Sequence, residues 1–244
     1  MHSSIWIGFD PREADGFAVT RFSARRRSTK PIPIYGIVLN EMKRKGMFWR
    51  PQERRDGRIW DLISEAPCAT EFSISRFLVP LLAKKSKWAM FCDSDMMFRS
   101  NPCRVFEDLK DKYAVYCVKH NHQPVGSTKM DGQIQTTYSR KNWSSLMIFN
   151  NDHPANEKLT LDMVNFLPGR DLHNFCWLSS DEEEKESLIG ELPESWNWLA
   201  GHSSSSIDPD VVHFTEGLPS MPGYEQSPYA EQWWEELGLW ATKS

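Results

Sequence analysis

An α/β domain with a mainly parallel central sheet flanked by helices is the fold class that the sequence predicts. Short apolar runs alternate along the chain with segments of helical periodicity. Several of those runs are apolar at consecutive positions, as strands covered on both faces are. The 244 residues, 40% of them hydrophobic, suit one globular unit spanning 1–244.

Taken in order, residues 5–9, 31–39, 88–92, 113–118, 145–149 and 211–214 read as strands. Residues 14–25 read as the first helix. Residues 70–84 read as a second, with Ile74, Phe77, Leu78, Leu81 and Leu82 on one face and Thr70 as N-cap. Pro80 strains that helix, because its ring crowds the carbonyl of Arg76. Residues 156–166 and 228–240 complete the helices, the last with Ser227 as N-cap and Pro228 in its first turn. Its stripe Tyr229, Trp233, Leu237 and Trp240 reads as a docked face. The acidic stretch 179–187 and the serine-rich stretch 201–206 read as solvated loops.

Charge and cysteine usage weigh against some function classes. The 29 Lys+Arg against 33 Asp+Glu give a formal charge of −4, unlike the basic excess of a dedicated nucleic-acid binder. The cluster Arg25, Arg26, Arg27 and Lys30 reads as a solvated face and is the one feature suited to a polyanion. Five cysteines without a CxxC pair argue for free thiols in a reducing compartment. The N-terminal segment lacks the apolar core of a signal peptide, and the longest apolar run, 77–83, is far shorter than a membrane span. A cytoplasmic protein without a transmembrane segment is the expectation. Eleven tryptophans hint at a surface for flat ligands such as sugars, beside the usual place of Trp in a core.

The chemistry concentrates where the strand 88–92 runs into Asp93-Ser94-Asp95. Ligands of open α/β sheets bind beyond the carboxyl ends of strands. Two carboxylates two residues apart can converge there on a hard divalent cation, which offsets charge on a departing phosphate. His213, after Val211-Val212 and before the turn at Gly217, completes an oxygen and nitrogen set suited to Mn²⁺ or Mg²⁺. A solvated turn and a structural histidine are the plain alternatives.

These pieces together resemble a GT-A fold glycosyltransferase, similar in layout to glycosyltransferase family 8. Residues 5–10, ending in Phe9 and Asp10, resemble the first strand, which meets the nucleotide base. Residues 70–77 resemble the helix that carries an arginine, here Arg76, toward the donor. Phe91-Cys92-Asp93-Ser94-Asp95-Met96 resembles the metal motif. Trp143-Ser144-Ser145 resembles the start of the strand lining the donor sugar. Leu192-Pro193-Glu194-Ser195-Trp196-Asn197 resembles a late LPxxWN segment, and the stretch from His213 to Gly217 the final metal histidine and its glycine turn. Residues 129–136 and 169–173 are like a bacterial and phage group. The chain departs from the family where the lysine after the final histidine is replaced by 218–222, and where Asp171-Leu172-His173 stands for a DQD motif.

The resemblance implies a nucleotide-binding half, 1–100, ending in the DxD, and an acceptor half, 101–244, with a C-terminal helix. It implies an enzyme of hexosyltransferase type with a UDP-sugar as donor. The acceptor hydroxyl belongs to a glycan intermediate or to a hydroxymethylated base in phage DNA. Asp93, Asp95 and His213 hold the metal. Phe9, Asp10, Arg12, Arg76, Ser94, Trp143, Ser144, Ser145 and Gly217 line the donor. Asp171 and His173 are the candidate catalytic pair. Asp10 accepts from a base imide or ribose hydroxyl, or is a turn residue before Pro11. Arg76 reaches a phosphate, holds Asp93, or makes a surface ion pair. Asp131, Gln133 and Gln135 offer three hydrogen-bonding groups on one face. A haloacid-dehalogenase-like phosphatase with Asp93 as nucleophile, and a non-catalytic nucleotide or glycan binder, are the competing functions.

Overall fold

A computed structural model describes residues 2–120, 140 and 142–243. Asp131, Gln133 and Gln135, and the resemblance seen in 129–136, lie outside the described residues. The strands are β1 (Ser3–Phe9), β2 (Ile34–Val38), β3 (Gln52–Arg55), β4 (Arg58–Asp61), β5 (Ala66–Pro67), β6 (Trp88–Cys92), β7 (Met96–Phe98), β8 (Val115–Cys117), β9 (Leu146–Asn150), β10 (Ile189–Glu191), β11 (Trp198–Leu199) and β12 (Val211–His213). The helices are α1 (Ala14–Arg27), α2 (Leu39–Arg44), α3 (Val79–Leu82), α4 (Leu161–Phe166), α5 (Gly169–His173), α6 (Glu182–Ser187) and α7 (Ala230–Lys243).

The central sheet has the order β10-β8-β9-β6-β1-β2. Its pairings are parallel except around β9, which runs antiparallel to both neighbours. The continuous apolar runs have the cause expected of them. Along β6, Trp88, Met90 and Cys92 enter one core cluster and Ala89 and Phe91 the other. Along β9, Leu146 and Ile148 alternate with Met147 and Phe149 in the same way, so both faces are covered. A small sheet, β11-β12-β7, abuts the carboxyl end of β6, and a third, β3-β4-β5, forms an arm.

Three expected elements come out differently. Residues 70–84 are not one helix but a turn, a 3-10 helix Ser75–Leu78 and the short α3. Thr70 is not its N-cap: the Thr70 N–H donates to Ser73 Oγ within that turn. Pro80 sits in the first turn of α3, where its missing N–H costs nothing. Residues 156–166 divide into a 3-10 helix Pro154–Lys158 and α4, which Thr160 caps through Met163 N. The break frees buried Asn156 to donate to the carbonyls of Ala114 (2.7 Å) and Asn150 (2.9 Å) and to accept from Trp177 Nε1 (3.0 Å). The acidic 179–187 stretch is no plain loop, since α6 forms within it behind an Asp181 cap on Glu184 N.

The outer elements pack as follows. Helix α7 starts at Ala230, after Tyr229 in a left-handed conformation (φ 67°). It docks through Trp233 and buried Glu236, which pairs with Arg26 and with Arg27 (2.7 Å). Two members of the basic cluster are thus paired with a buried carboxylate, while Arg25, Arg26 and Lys30 stay exposed. Trp240, the end of the expected stripe, is exposed. All five cysteines are free, and no helix among the described residues is long and apolar enough to cross a membrane.

Candidate functional site

The site lies where the central sheet hands over to the small one. The N–H of Asp93 donates to the Ser145 carbonyl (2.9 Å), extending the β6–β9 pairing by one residue. Two residues on, β7 pairs antiparallel with β12, with Met96 opposite His213, and Phe214 N donates to the Asp95 carbonyl (2.9 Å). The DSD turn is therefore fixed at both ends by strand hydrogen bonds. Asp93, Asp95 and His213 each turn a ligand-type atom inward, all within 4.8 Å of one another.

Helix α1 closes over this turn because its buried face is small. A Cβ on Gly16 would stand 2.9 Å from the Ser94 carbonyl oxygen and 2.8 Å from Leu218, so only glycine allows the approach. The Thr20 hydroxyl donates to that carbonyl (2.7 Å) and accepts from Met96 N (3.2 Å). Gly217 serves a similar purpose on the far side, since a Cβ there would sit 2.6 Å from the Tyr224 ring.

Each inward group has a partner that orients it. Arg76 is buried, not the surface pair of one sequence reading. Its guanidinium lies over Phe72 and Phe91, forms an ion pair through Nη1 with Asp93 Oδ1 (2.9 Å) and donates to the Ser144 carbonyl (2.8 Å). His213, 2% exposed, meets Asn197 Oδ1 through Nδ1 (2.9 Å), while its Nε2 stands 3.4 Å from Asp95 Oδ1. Ser94 is fully buried and donates to Glu13 Oε2 (2.7 Å). Burial, then the charge of Asp95, push the Glu13 carboxyl up to about 8. Glu13 and Asn197 are the two groups of this network that were not among the expected site residues. No local signal marks Glu13, which only the fold brings to Ser94. Asn197 stood inside the LPxxWN segment without a role.

The other expected donor residues lie as follows. Asp10 is fully buried. Its oxygens accept from Arg12 N (2.9 Å), Arg12 Nε (3.0 Å), Arg12 Nη2 (2.8 Å) and Glu71 N (2.9 Å). Four donors engage this carboxylate, and Asp10 caps the turn at Pro11–Glu13. Burial alone would raise its pKa, but those bonds hold it below the usual carboxylate range. Arg12 also donates to the Ala69 carbonyl (2.6 Å), with its side chain 45% exposed. Phe9 packs edge-on against Phe17. A pocket beside Asp10 is lined by Arg12, Arg54, Arg58, Ile59, Cys68 and Glu71.

Trp143, Ser144 and Ser145 form a 3-10 turn ahead of β9. Trp143 donates to the His120 carbonyl (2.9 Å), and its ring faces Lys119 and Arg140. The Ser144 hydroxyl meets His173 Nδ1 (2.6 Å), and Ser145 Oγ donates to the Asn142 carbonyl (2.6 Å). His173 stacks edge-on against Phe77. Burial, then the nearby Arg76 charge, hold its imidazole down at about 3, so it is neutral at physiological pH. Asp171, inside α5, has a part-exposed carboxylate that pairs with Arg170 (3.3 Å).

No family model matches the chain. It is 36% identical over 238 residues to Protein CDI of Arabidopsis thaliana, covering 96% of this chain and 85% of that protein. Among solved structures, the WbbM bifunctional glycosyltransferase superposes with a TM-score of 0.61 at 14% identity, over 97% of this chain and 49% of that one. GlyE, a glycosyltransferase of Streptococcus pneumoniae, gives 0.56 at 14% identity, over 100% and 64%. The galactosyltransferase LgtC, solved with donor and acceptor sugar analogues, gives 0.56 at 10% identity, over 97% and 95%. The chain thus spans about half of WbbM and under two thirds of GlyE. The fold is the GT-A type shared by these glycosyltransferases.

Proposed function

The chain belongs to the family of the Arabidopsis thaliana Protein CDI, and from its fold and site we propose that it is a metal-dependent glycosyltransferase. It moves a hexose from a UDP-sugar to an acceptor hydroxyl. Fold alone does not carry an activity; the observation that carries this one is the convergence of Asp93, Asp95 and His213 at the end of β6.

The donor set fits a divalent ion. Two carboxylates and an imidazole suit Mn²⁺ or Mg²⁺, and His213 Nε2 faces a carboxylate oxygen at 3.4 Å, a gap that favours positive charge. When bound, the ion offsets negative charge on the departing diphosphate. Arg76 orients Asp93 through Nη1, which also holds the Ser144 carbonyl. Arg12, anchored by Asp10 and the Ala69 carbonyl with its side chain 45% exposed, is the cation we assign to the diphosphate in place of the missing lysine. Ser144, Ser145 and Trp143 shape the wall beside the donor sugar, and Gly217 lets the turn after His213 approach. Asp171 faces the acceptor, and His173 positions Ser144. Residues 1–100 supply the donor side and 101–244 the acceptor side of one unit.

A glycan hydroxyl is the acceptor we favour, because Arg26 and Arg27 are engaged by Glu236 and so serve a DNA acceptor poorly. Free thiols fit a cytoplasmic setting. Hydrolysis of a panel of nucleotide sugars with Mn²⁺ tests the reading. Wild-type protein should turn over a UDP-sugar, and Asp95→Ala should lose roughly 10³-fold, the effect of several kcal/mol of charge stabilisation. Turnover of simple phosphate esters instead, or nucleotide binding without turnover, would overturn it.

A further inference from the structure

We infer that Asn197 is the positioning residue of this centre, holding His213 in the tautomer that turns its Nε2 lone pair toward the two aspartates. The inference rests on the reading of Asp93, Asp95 and His213 as a cation site.

The orientation of the amide follows from its partners. Asn197 is fully buried. One end of its side chain lies 3.3 Å from the Asn142 carbonyl and 2.9 Å from Ser145 Oγ. A carbonyl only accepts, so that end is the NH₂ group. The other end, Oδ1, is then an acceptor, and it stands 2.9 Å from His213 Nδ1. Nδ1 therefore carries the hydrogen, and Nε2 of the neutral ring carries the lone pair. That lone pair lies on the Asp95 side of the ring, 3.4 Å from Oδ1.

The same amide reaches the other half of the ligand set. Ser145, which accepts from Asn197, offers its own carbonyl to the Asp93 N–H (2.9 Å). Its hydroxyl donates to the Asn142 carbonyl, and Asn142 holds a left-handed conformation (φ 64°) that aims this carbonyl at both donors. One buried amide thus ties the histidine of β12 to the turn that registers Asp93 against β9. Partners of metal-bound histidines act in this way, fixing ring orientation and tautomer.

Two measurements on the full chain test this. The first is the ¹⁵N spectrum of the imidazoles in metal-free protein at pH 8, with His213 assigned by His213→Gln. The second is titration with Mn²⁺ alone, followed by the resonance signal of the free ion. Wild-type His213 should be the Nδ1–H tautomer. Asn197→Leu should lose that preference and bind Mn²⁺ about 10- to 100-fold more weakly. Asn197→Asp, which keeps an acceptor at Nδ1, should retain the tautomer. An Nε2–H tautomer in wild type, or Asn197→Leu binding Mn²⁺ as tightly as wild type, would overturn the inference. Should Asn197→Leu not fold, wild type and Asn197→Asp decide through the tautomer. A wild-type protein that takes up no Mn²⁺ at all shows instead, in the titration itself, that the cation reading has failed.

Discussion

Arg50 with Asp61 and Arg76 with Asp93 are the same chemical pair in two regions, and they end differently. In the arm, Arg50 and Asp61 are 0% and 1% exposed. Arg50 grips both carboxylate oxygens and gives its remaining hydrogens to the carbonyls of Val164 (3.0 Å) and Leu167 (2.6 Å) and to Ser64 Oγ (3.2 Å). Asp61 also accepts from Ser64 N (2.7 Å). Burial alone would raise the Asp61 pKa, but these bonds hold it below the usual range. At the sheet end, Arg76 meets Asp93 through one nitrogen, its Nε is buried without a hydrogen bond, and Asp93 stands beside Asp95 and His213. A pair with its capacity filled staples the chain. A pair that converges with further ligand groups is arranged to receive something.

Exchanging one partner in each pair should separate the two roles. Arg50→Met leaves Asp61 buried without its cation. Losing one partner of a buried pair costs about 3–5 kcal/mol, which for a chain of this size lowers Tm by roughly 10 °C or more. The turnover of the folded fraction should stay near wild type. Arg76→Met should invert the pattern, with turnover falling roughly 10- to 100-fold and a smaller loss of Tm, part of which Mn²⁺ restores. Thermal scans with and without Mn²⁺, beside nucleotide-sugar hydrolysis, read both. The comparison breaks if Arg50→Met abolishes turnover at unchanged Tm, or if Arg76→Met merely unfolds the protein.

Glu13 sharpens the sheet end further. Its carboxyl is raised from 4.5 to about 8. Between those values the folded, metal-free protein holds a proton that the unfolded chain has lost. The contribution of Glu13 to stability therefore falls as pH rises through that window, and is level below 4.5 and above 8. A cation beside Asp95 removes part of the cause and drives the proton off. Calorimetric Mn²⁺ titrations near pH 6.5, in buffers of different ionisation enthalpy, should show release of about one proton. Glu13→Gln should remove that release and flatten the pH dependence of stability. Unchanged proton release in Glu13→Gln would place the titrating group elsewhere.

The sequence made the two-sided strands and the cluster of Asp93, Asp95 and His213 legible, because both rest on local pattern: continuous apolar runs, and carboxylate and imidazole groups at strand ends. Residues 70–84 show where pattern stops. Periodicity identified Ile74, Phe77 and Leu78 as buried, but burial says nothing of whether the backbone between them is one helix. Arg76 was legible as a candidate and not as a buried group, because the rings of Phe72 and Phe91 that shelter it come together only in the fold. The β3–β4 hairpin was missed because its strands are largely polar. Its Asp56-Gly57 turn, with φ of 50° and 79°, was the available signal. Asp10 is the turn residue before Pro11 that one sequence reading offered, because Arg12 lies two residues on, whereas its bond from Glu71 N is a long-range outcome that no spacing reveals.

The smallest expected effect belongs to Asp171, which tests the acceptor side of the comparison. Its carboxylate pairs with Arg170, whose side chain is 84% exposed, within the same short helix. Such a pair contributes little, since water screens it and both side chains lose freedom to hold it. Asp171→Ala should therefore change stability by no more than about 0.5 kcal/mol, and Mn²⁺ affinity should not move. Transfer to water uses the donor side alone, so nucleotide-sugar hydrolysis should stay within about two-fold of wild type, less than about 0.5 kcal/mol in the barrier. Transfer to a sugar hydroxyl, followed by product mass with a panel of free glycosides, should fall more than hydrolysis does if Asp171 faces the acceptor. Equal loss in both reactions would move Asp171 to the donor side, and a large loss of Tm would make it a structural residue of α5.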